Sequence, residues 1–259
     1  MRKRKQNYLK RYGPTVFAVL LIAVFLIFLT KLLLSWINNN PDSGVDVNAG
    51  ATSDNAAVSG DAGESDELVI DTDAWNLILI NSSNPLPDDY EIQLASIGDD
   101  KYVNNNIYAP LTAMLEDGNA EGLQLLVCAA YRSVEYQEDL FSKQVAKWAD
   151  TGLAEEDAVS AAMTVVAYPG YSEHNAGLSV DICAEYYQQL DDGFGETDEA
   201  IWLLEHCAEY GFILRYPSKK SDITGIIYEP WHFRYVGVEA ATYIMENGLC
   251  LEEYLALAE

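Results

Sequence analysis

The longest apolar run of the chain lies near its N-terminus. Val16–Leu29 contains fourteen consecutive apolar residues, and the apolar character resumes after Lys31 and continues to Ile37. The 22 residues from Val16 to Ile37 would form roughly 33 Å of helix at about 1.5 Å per residue, enough to cross a bilayer. The pattern therefore predicts a transmembrane signal anchor over residues 14–37.

The flanks of this run favour an uncleaved anchor over a cleaved signal peptide or a buried core helix. A cleavable signal ends in small residues, whereas this run ends in Leu34-Ser35-Trp36-Ile37. The tail of residues 1–13 is basic, with no acid before Asp42, so the positive-inside rule places it in the cytoplasm. We therefore predict a single-pass membrane protein, extracytoplasmic after Ile37; whether the anchor is ever cleaved stays open.

Residues 38–67 have a different composition from the apolar run before them. They contain no aromatic residue, no lysine and no arginine, and Val is their only large apolar residue type. Such a segment cannot bury enough surface to offset the entropy of ordering it. It is therefore predicted to be a flexible acidic linker, followed by one folded domain over residues 68–259.

Within the folded domain, helical and strand-like patterns mix without a regular strand–helix–strand alternation. This mixture predicts an α+β fold with an antiparallel sheet flanked by helices. Leu123–Ala129 is apolar on both faces, which predicts a central strand. The other predicted strands are Leu178–Cys183, Phe212–Tyr216 and His232–Val236. The predicted helices are Ile107–Glu116, a helix capped by Ser133 that runs through Lys147, Glu155–Met163, Thr197–Tyr210, Val238–Asn247 and Leu251–Ala258.

Charge separates the chain into two unlike parts. The 259 residues include 41 acidic and 15 basic side chains, for a formal net charge of −26. Residues 1–37 carry seven basic side chains and no acid, so the remainder carries eight basic against 41 acidic ones. Because phosphate repels so acidic a surface, nucleic acid is excluded as a partner.

Two of the three histidines lie in polar, turn-like segments beside carboxylates. His174 precedes an Asn-Ala-Gly turn, and Asp181 lies on the strand that follows it. Together with His232, these residues supply three ligands of the kinds that Zn²⁺ takes in catalytic sites, which leaves one position open. Glu229 is the natural general base for a water at such a site. Pro230 disfavours a helix there, so we predict a bend that brings Glu229 and His232 to one ion.

Read together, four segments resemble the VanY-type D-alanyl-D-alanine carboxypeptidases, zinc peptidases of the M15 group. The resemblance covers about Trp75 to the C-terminus and implies the fold shared with Hedgehog-type domains. It carries the metal ligands onto His174, Asp181 and His232, and the catalytic base onto Glu229. The segments are WNLILINSSNPLPDDY (Trp75–Tyr90), AAYRSVEYQ (Ala129–Gln137), YPGYSEHNAGLSVDI (Tyr168–Ile182) and YGFILRYPSKKSDITGIIYEPWHFRYVG (Tyr210–Gly237).

The resemblance also assigns residues to the substrate cleft. Arg132 matches the arginine that pairs with substrate and stabilises the developing oxyanion, although a surface salt bridge is the alternative in so acidic a protein. Ser172 and Gln137 match cleft positions, and a capping or turn role explains either equally well. His206 and Trp231 are expected to be structural.

The four cysteines follow the membrane anchor, in a compartment where disulfides are chemically allowed. They permit three pairings, and buried thiols or one disulfide are favoured over a Cys183 metal ligand. The four are Cys128, Cys183, Cys207 and Cys250.

The resemblance implies a Zn²⁺-dependent carboxypeptidase that removes the C-terminal D-Ala from peptidoglycan stem peptides. We expect a monomer that is attached to the membrane through its N-terminal helix. L,D-carboxypeptidase activity on tetrapeptide stems stays open, because relatives with the same motifs cleave either bond. A non-catalytic cell-wall-binding module is the alternative of another class.

Overall fold

The structure, a computed structural model, describes residues 70–258. The predicted basic tail, membrane anchor and linker therefore lie outside the described residues. Within residues 70–258, no helix is both long enough and apolar enough to span a membrane.

The described chain contains short strands and helices of very different lengths. The strands are β1 (Leu94–Gly98), β2 (Lys101–Asn104), β3 (Leu125–Ala129), β4 (Ser179–Ala184), β5 (Phe212–Leu214) and β6 (His232–Tyr235). The helices are α1 (Asn105–Ala120), α2 (Val134–Ala149), α3 (Glu155–Met163), α4 (Asp198–His206), α5 (Ser221–Thr224), α6 (Val238–Glu246) and α7 (Leu251–Leu255). Short 3₁₀ turns cover Glu173–Ala176, Asp192–Glu196, Cys207–Tyr210 and Ala256–Ala258.

Four strands form an antiparallel sheet in the order β3-β4-β6-β5, and β1 pairs with β2 in a separate hairpin. This arrangement confirms the predicted α+β fold. The prediction that Leu123–Ala129 forms a central strand is wrong, because β3 lies at the edge of the sheet. Its apolar residues are covered by packing against the core, with Leu125 and Val127 buried. β4 is buried along its whole length, as is the shorter β5.

Most predicted helices are present, with shifted ends. Ser133 accepts a hydrogen bond from the Tyr136 N–H and begins α2, as predicted, and α3 covers the predicted residues. The prediction of one helix over Thr197–Tyr210 is only partly correct, because the last turn tightens to 3₁₀ after His206. The β1–β2 hairpin was not predicted. Its turn places Asp99 and Asp100 at φ 49° and 55°, in a left-handed conformation that aspartate tolerates better than most residues.

The cysteines separate into one disulfide and two buried thiols. Cys128 on β3 is bonded to Cys183 on β4, so the sulfur of Cys183 is not available as a metal ligand. Cys207 and Cys250 are free and buried. The disulfide joins β3 to the strand that carries Asp181, and so braces the sheet next to that residue.

Candidate metal centre and active site

The register between β4 and β6 brings two of the predicted ligands together. Asp181 on β4 is paired directly with His232 on β6. His174 lies on the 3₁₀ turn before β4. This turn ends at Gly177, whose φ is 64°. A Cβ at Gly177 would lie 2.8 Å from the Asn104 backbone nitrogen, so only glycine fits where this turn approaches β2. The three side chains therefore meet although their residues span 59 positions of the sequence.

The ligand atoms of this cluster are spaced for a tetrahedral metal. His174 Nε2 lies 3.2 Å from Asp181 Oδ1, and His232 Nδ1 lies 3.1 Å from the same oxygen. All three ligand atoms fall within 4.8 Å of one another. For zinc–ligand distances of about 2.0–2.2 Å, tetrahedral ligand atoms are about 3.3–3.6 Å apart. The two histidine–aspartate separations are slightly shorter than this spacing, so the side chains need a small adjustment to hold Zn²⁺.

The hydrogen bonding of these residues also fits a metal. Asp181 Oδ1 is buried and has no hydrogen-bond partner among residues 70–258, as expected of an oxygen meant for a metal. His174 Nδ1 lies 2.7 Å from the carbonyl oxygen of Ala130, and a hydrogen on Nδ1 would donate to it. That tautomer leaves the Nε2 lone pair directed at the metal position.

Burial and nearby charges move the pKa values of the two histidines in opposite directions. Burial, reinforced by the charge of Arg132, lowers the pKa of His174 to about 4. Burial also opposes protonation of His232, but interactions with Asp181 and Glu173 outweigh it and raise the pKa of His232 to about 9. At neutral pH and without a metal, His174 is neutral and His232 is an imidazolium.

Glu229 lies at the metal cluster because the chain turns just before β6. The His232 N–H donates to the carbonyl of Glu229 at 3.2 Å, which closes a turn through Pro230 and Trp231. This turn is the predicted bend. It places Glu229 Oε2 3.5 Å from His232 Nδ1, the nitrogen that faces Asp181. Burial raises the pKa of Glu229 to about 8, with the charge of His232 opposing it.

The predicted substrate residues lie in the same cleft as the metal cluster. This cleft, of about 420 Å³, is lined by Arg132, Gln137, Ser172, His174, Asp181, Glu229 and His232, together with residues of α2. Its volume is typical of a site for a small ligand.

Each predicted substrate residue has identifiable contacts. Arg132 Nη2 donates to Asp181 Oδ2 at 2.8 Å, and its side chain is 18% exposed. Its partner is therefore the carboxylate of a candidate ligand rather than a surface acid. Gln137 is buried and donates from Nε2 to the carbonyl of Ala167 at 2.8 Å. Ser172 precedes the 3₁₀ turn, but its side chain does not cap it.

Two residues at this site were not identified from the sequence. Glu173 is fully buried behind His232, and Tyr216 packs its ring 4.8 Å from the ring of the same histidine. The position of Glu173 next to His174 was the only available signal, because its partners are distant in sequence. His206 is not part of the cluster and stacks on Trp202, as expected of a structural residue. Trp231 is in the core and also lines the cleft.

The sequence matches one known protein family over more than half of its length. Residues 100–238 match the family described as "VanY: D-alanyl-D-alanine carboxypeptidase". A D-alanyl-D-alanine carboxypeptidase of Enterococcus faecalis is 41% identical over 187 residues, which cover 71% of this chain and 67% of that protein. A bifunctional D-Ala-D-Ala dipeptidase and carboxypeptidase of Enterococcus gallinarum, VanXYC, is 33% identical over 69% of this chain and 92% of that protein.

Solved structures give the same match. VanYB in complex with D-alanine-D-alanine has a TM-score of 0.67 and 39% identity, covering 72% of this chain and all of that one. A mutant of the D,D-pentapeptidase VanY in complex with Zn(II) has a TM-score of 0.65 and 40% identity, covering 70% of this chain and 99% of that one. The LD-carboxypeptidase LdcB has a TM-score of 0.59 and 35% identity, covering 70% and 86% respectively.

Zinc binding to the metal-free protein is expected to release protons at pH 7. His232, with a pKa of about 9, must lose its proton before Nδ1 can bind the ion. The apparent zinc affinity should therefore rise with pH up to about 9 and level off above it. Isothermal titration calorimetry in buffers of different ionisation enthalpy measures the number of protons released.

Glu229→Gln serves as the control for this measurement, because it removes the other group whose pKa lies near neutrality. The variant should still release about one proton per zinc, from His232. Zinc uptake by this variant at pH 7 with no proton release would contradict the assignment.

Proposed function

We propose that the substrates of this chain are peptidoglycan stem peptides ending in D-Ala-D-Ala, because the chain belongs to the VanY family of D-alanyl-D-alanine carboxypeptidases. The enzyme is a metallo-carboxypeptidase whose His174–Asp181–His232 cluster fits zinc, the metal in the solved VanY mutant. The observation that carries the proposal is the meeting of these three side chains with buried Glu229 in one cleft.

In the proposed mechanism the chain's own residues hold the substrate and move the proton. His174, Asp181 and His232 would hold the zinc ion, which would supply Lewis acidity and lower the pKa of water at the site. Glu229 takes a proton from the attacking water and then delivers it to the leaving amine of the terminal D-alanine. Its carboxyl group is buried in the cleft 3.5 Å from His232 Nδ1, beside the candidate ligands.

Arg132 has the second role in this mechanism. Its side chain lines the cleft beside Asp181 and stays partly exposed. We assign it to the substrate oxygen that gains negative charge during attack. Gln137 and Ser172 lie in the same cleft and form part of the surface that the peptide contacts.

We further propose that the enzyme works as a monomer at the extracytoplasmic face of a membrane, tethered through residues 14–37. Support comes from the apolar run and the basic residues before it. Protease added outside intact cells should cut within residues 38–67 and release the domain. Protection of this segment until the cells are lysed would contradict the proposed orientation.

The choice between the D,D and the L,D bond is tested with purified full-length protein. Pentapeptide stems ending in D-Ala-D-Ala should lose one D-alanine, while tetrapeptide stems should remain intact, as judged by mass spectrometry with and without a chelator. LdcB gives the L,D alternative its support. Loss of D-alanine from the tetrapeptide alone would overturn our choice in its favour.

Glu229→Gln should lower kcat by roughly 100-fold or more, because the neutral amide cannot accept the proton of the attacking water. Zinc content should remain that of the unaltered protein, since Glu229 is not one of the three candidate ligands. The matched control is Glu239→Gln, an exposed position on α6, which should leave kcat unchanged. Full activity of Glu229→Gln with zinc bound would assign the base to another group.

Arg132→Lys should lower kcat/KM by about 100-fold, because lysine keeps the charge but loses the planar pair of donors. Zinc content must be measured in parallel, since Arg132 also contacts Asp181. Lys143→Gln is the control, because it removes another positive charge from the cleft without contact to Asp181. Unchanged kcat/KM in Arg132→Lys together with a loss in Lys143→Gln would mean that only the overall charge of the cleft matters.

A further inference from the structure

A buried carboxylate lies behind the metal cluster and outside the mechanism given above. Glu173 has a fully buried side chain. Its Oε1 accepts hydrogen bonds from Arg215 Nε at 2.7 Å and from Arg234 Nη1 at 2.8 Å. Both guanidinium groups are fully buried as well. These contacts account for one of its two oxygens and keep the carboxylate ionised.

The other oxygen faces a metal-ligand candidate. Glu173 Oε2 lies 3.5 Å from His232 Nε2. Each of these two atoms is buried and has no hydrogen-bond partner among residues 70–258. Two unpaired buried polar atoms that face each other are unusual unless they are partners. A movement of about 0.5 Å would bring them to ordinary hydrogen-bond distance.

The chemistry of the imidazole ring decides which atom donates. The ring directs Nδ1 towards Asp181 Oδ1 at 3.1 Å, so Nδ1 is the nitrogen that can bind the metal. A neutral imidazole whose Nδ1 lone pair is on a metal carries its hydrogen on Nε2. That hydrogen points at Glu173, which can only accept.

We propose that Glu173 is a positioning residue for the zinc site, which accepts the Nε2–H of His232 and fixes the tautomer and orientation of that ring. A carboxylate that accepts the second N–H of a ligating histidine also makes the ring a stronger donor to the metal. The inference rests on the zinc site of the proposed function and adds a residue that does not touch the ion.

The surroundings of the two arginines hold Glu173 in place. Arg215 also forms a bidentate ion pair with Glu252 on α7. Its Nη1 donates to Oε2 at 2.9 Å and its Nη2 donates to Oε1 at 2.7 Å. Arg234 Nη2 donates to the carbonyl oxygens of Asn76 and Ile78, at 3.0 and 2.9 Å. The C-terminal helix and the segment before β1 thus fix both guanidinium groups, so Glu173 cannot swing away from His232.

The test compares two glutamates of this one network in the full-length chain. Glu173→Gln should weaken zinc binding by about 10- to 100-fold in competition with a chromophoric chelator. It should also change the visible absorption of the Co²⁺-substituted protein, which reports the ligand field. Glu252→Gln is the matched control, because it loses contact with Arg215 but has no contact with His232. It should lower the Tm and leave zinc affinity within about threefold.

The outcomes separate this inference from the proposed function. The positioning role would be overturned if Glu173→Gln bound zinc as tightly as the unaltered protein, or if both variants weakened zinc binding equally. Either result would leave the proposed function standing. Failure of the unaltered protein to bind zinc would overturn both.

A second measurement uses unaltered protein, so it decides the question even where Glu173→Gln does not fold. In the zinc-loaded, ¹⁵N-labelled chain, the NMR signals of His232 should show Nδ1 bound to metal and an Nε2–H proton shifted downfield by a hydrogen bond to a carboxylate. Coordination through Nε2, or an Nε2–H proton with no sign of a hydrogen bond, would overturn the inference.

Discussion

The antiparallel pairing of β4 with β6 is the constraint on which the active site depends. It places Asp181 opposite His232. Because side chains alternate between faces along a strand, a slip of one residue would turn either ligand to the other side of the sheet. The register is secured by β4 being buried over its whole length and by the disulfide that ties it to β3. The strand that carries Asp181 is thus held both by burial and by a covalent bond to its neighbour.

The three arginines that follow residue 11 all pair with carboxylates of this site. Arg132 binds Asp181, while Arg215 and Arg234 bind Glu173. A buried carboxylate without a partner is costly, and removing one member of a buried pair typically costs about 3–5 kcal/mol. In a chain with a net charge of −26, the arginines are therefore concentrated where buried acids need them.

The sequence was sufficient for the residues whose role is local or belongs to a motif. Ser133 as a helix cap, the bend at Pro230 and the candidate ligands could be predicted because each depends on neighbours in sequence or on a recognised pattern. The edge position of β3 and the contacts of Glu173 could not, since both depend on which distant segments pair. Glu173 meets Arg215 and Arg234 from 42 and 61 residues away. No local pattern specifies such partners.

The two glutamates beside His232 show how surroundings divide roles within one site. Glu229 lies 3.5 Å from Nδ1 and Glu173 lies 3.5 Å from Nε2 of the same ring. Burial would raise the pKa of Glu173, but Arg215 and Arg234 hold it well below its usual range. No arginine in the described part of the chain is bonded to Glu229, and burial raises the pKa of Glu229 to about 8. Glu173 therefore stays charged and can only orient the His232 ring. Glu229 can gain and lose a proton near neutrality, as a general base must. Arginine placement therefore determines which carboxylate is available for proton transfer.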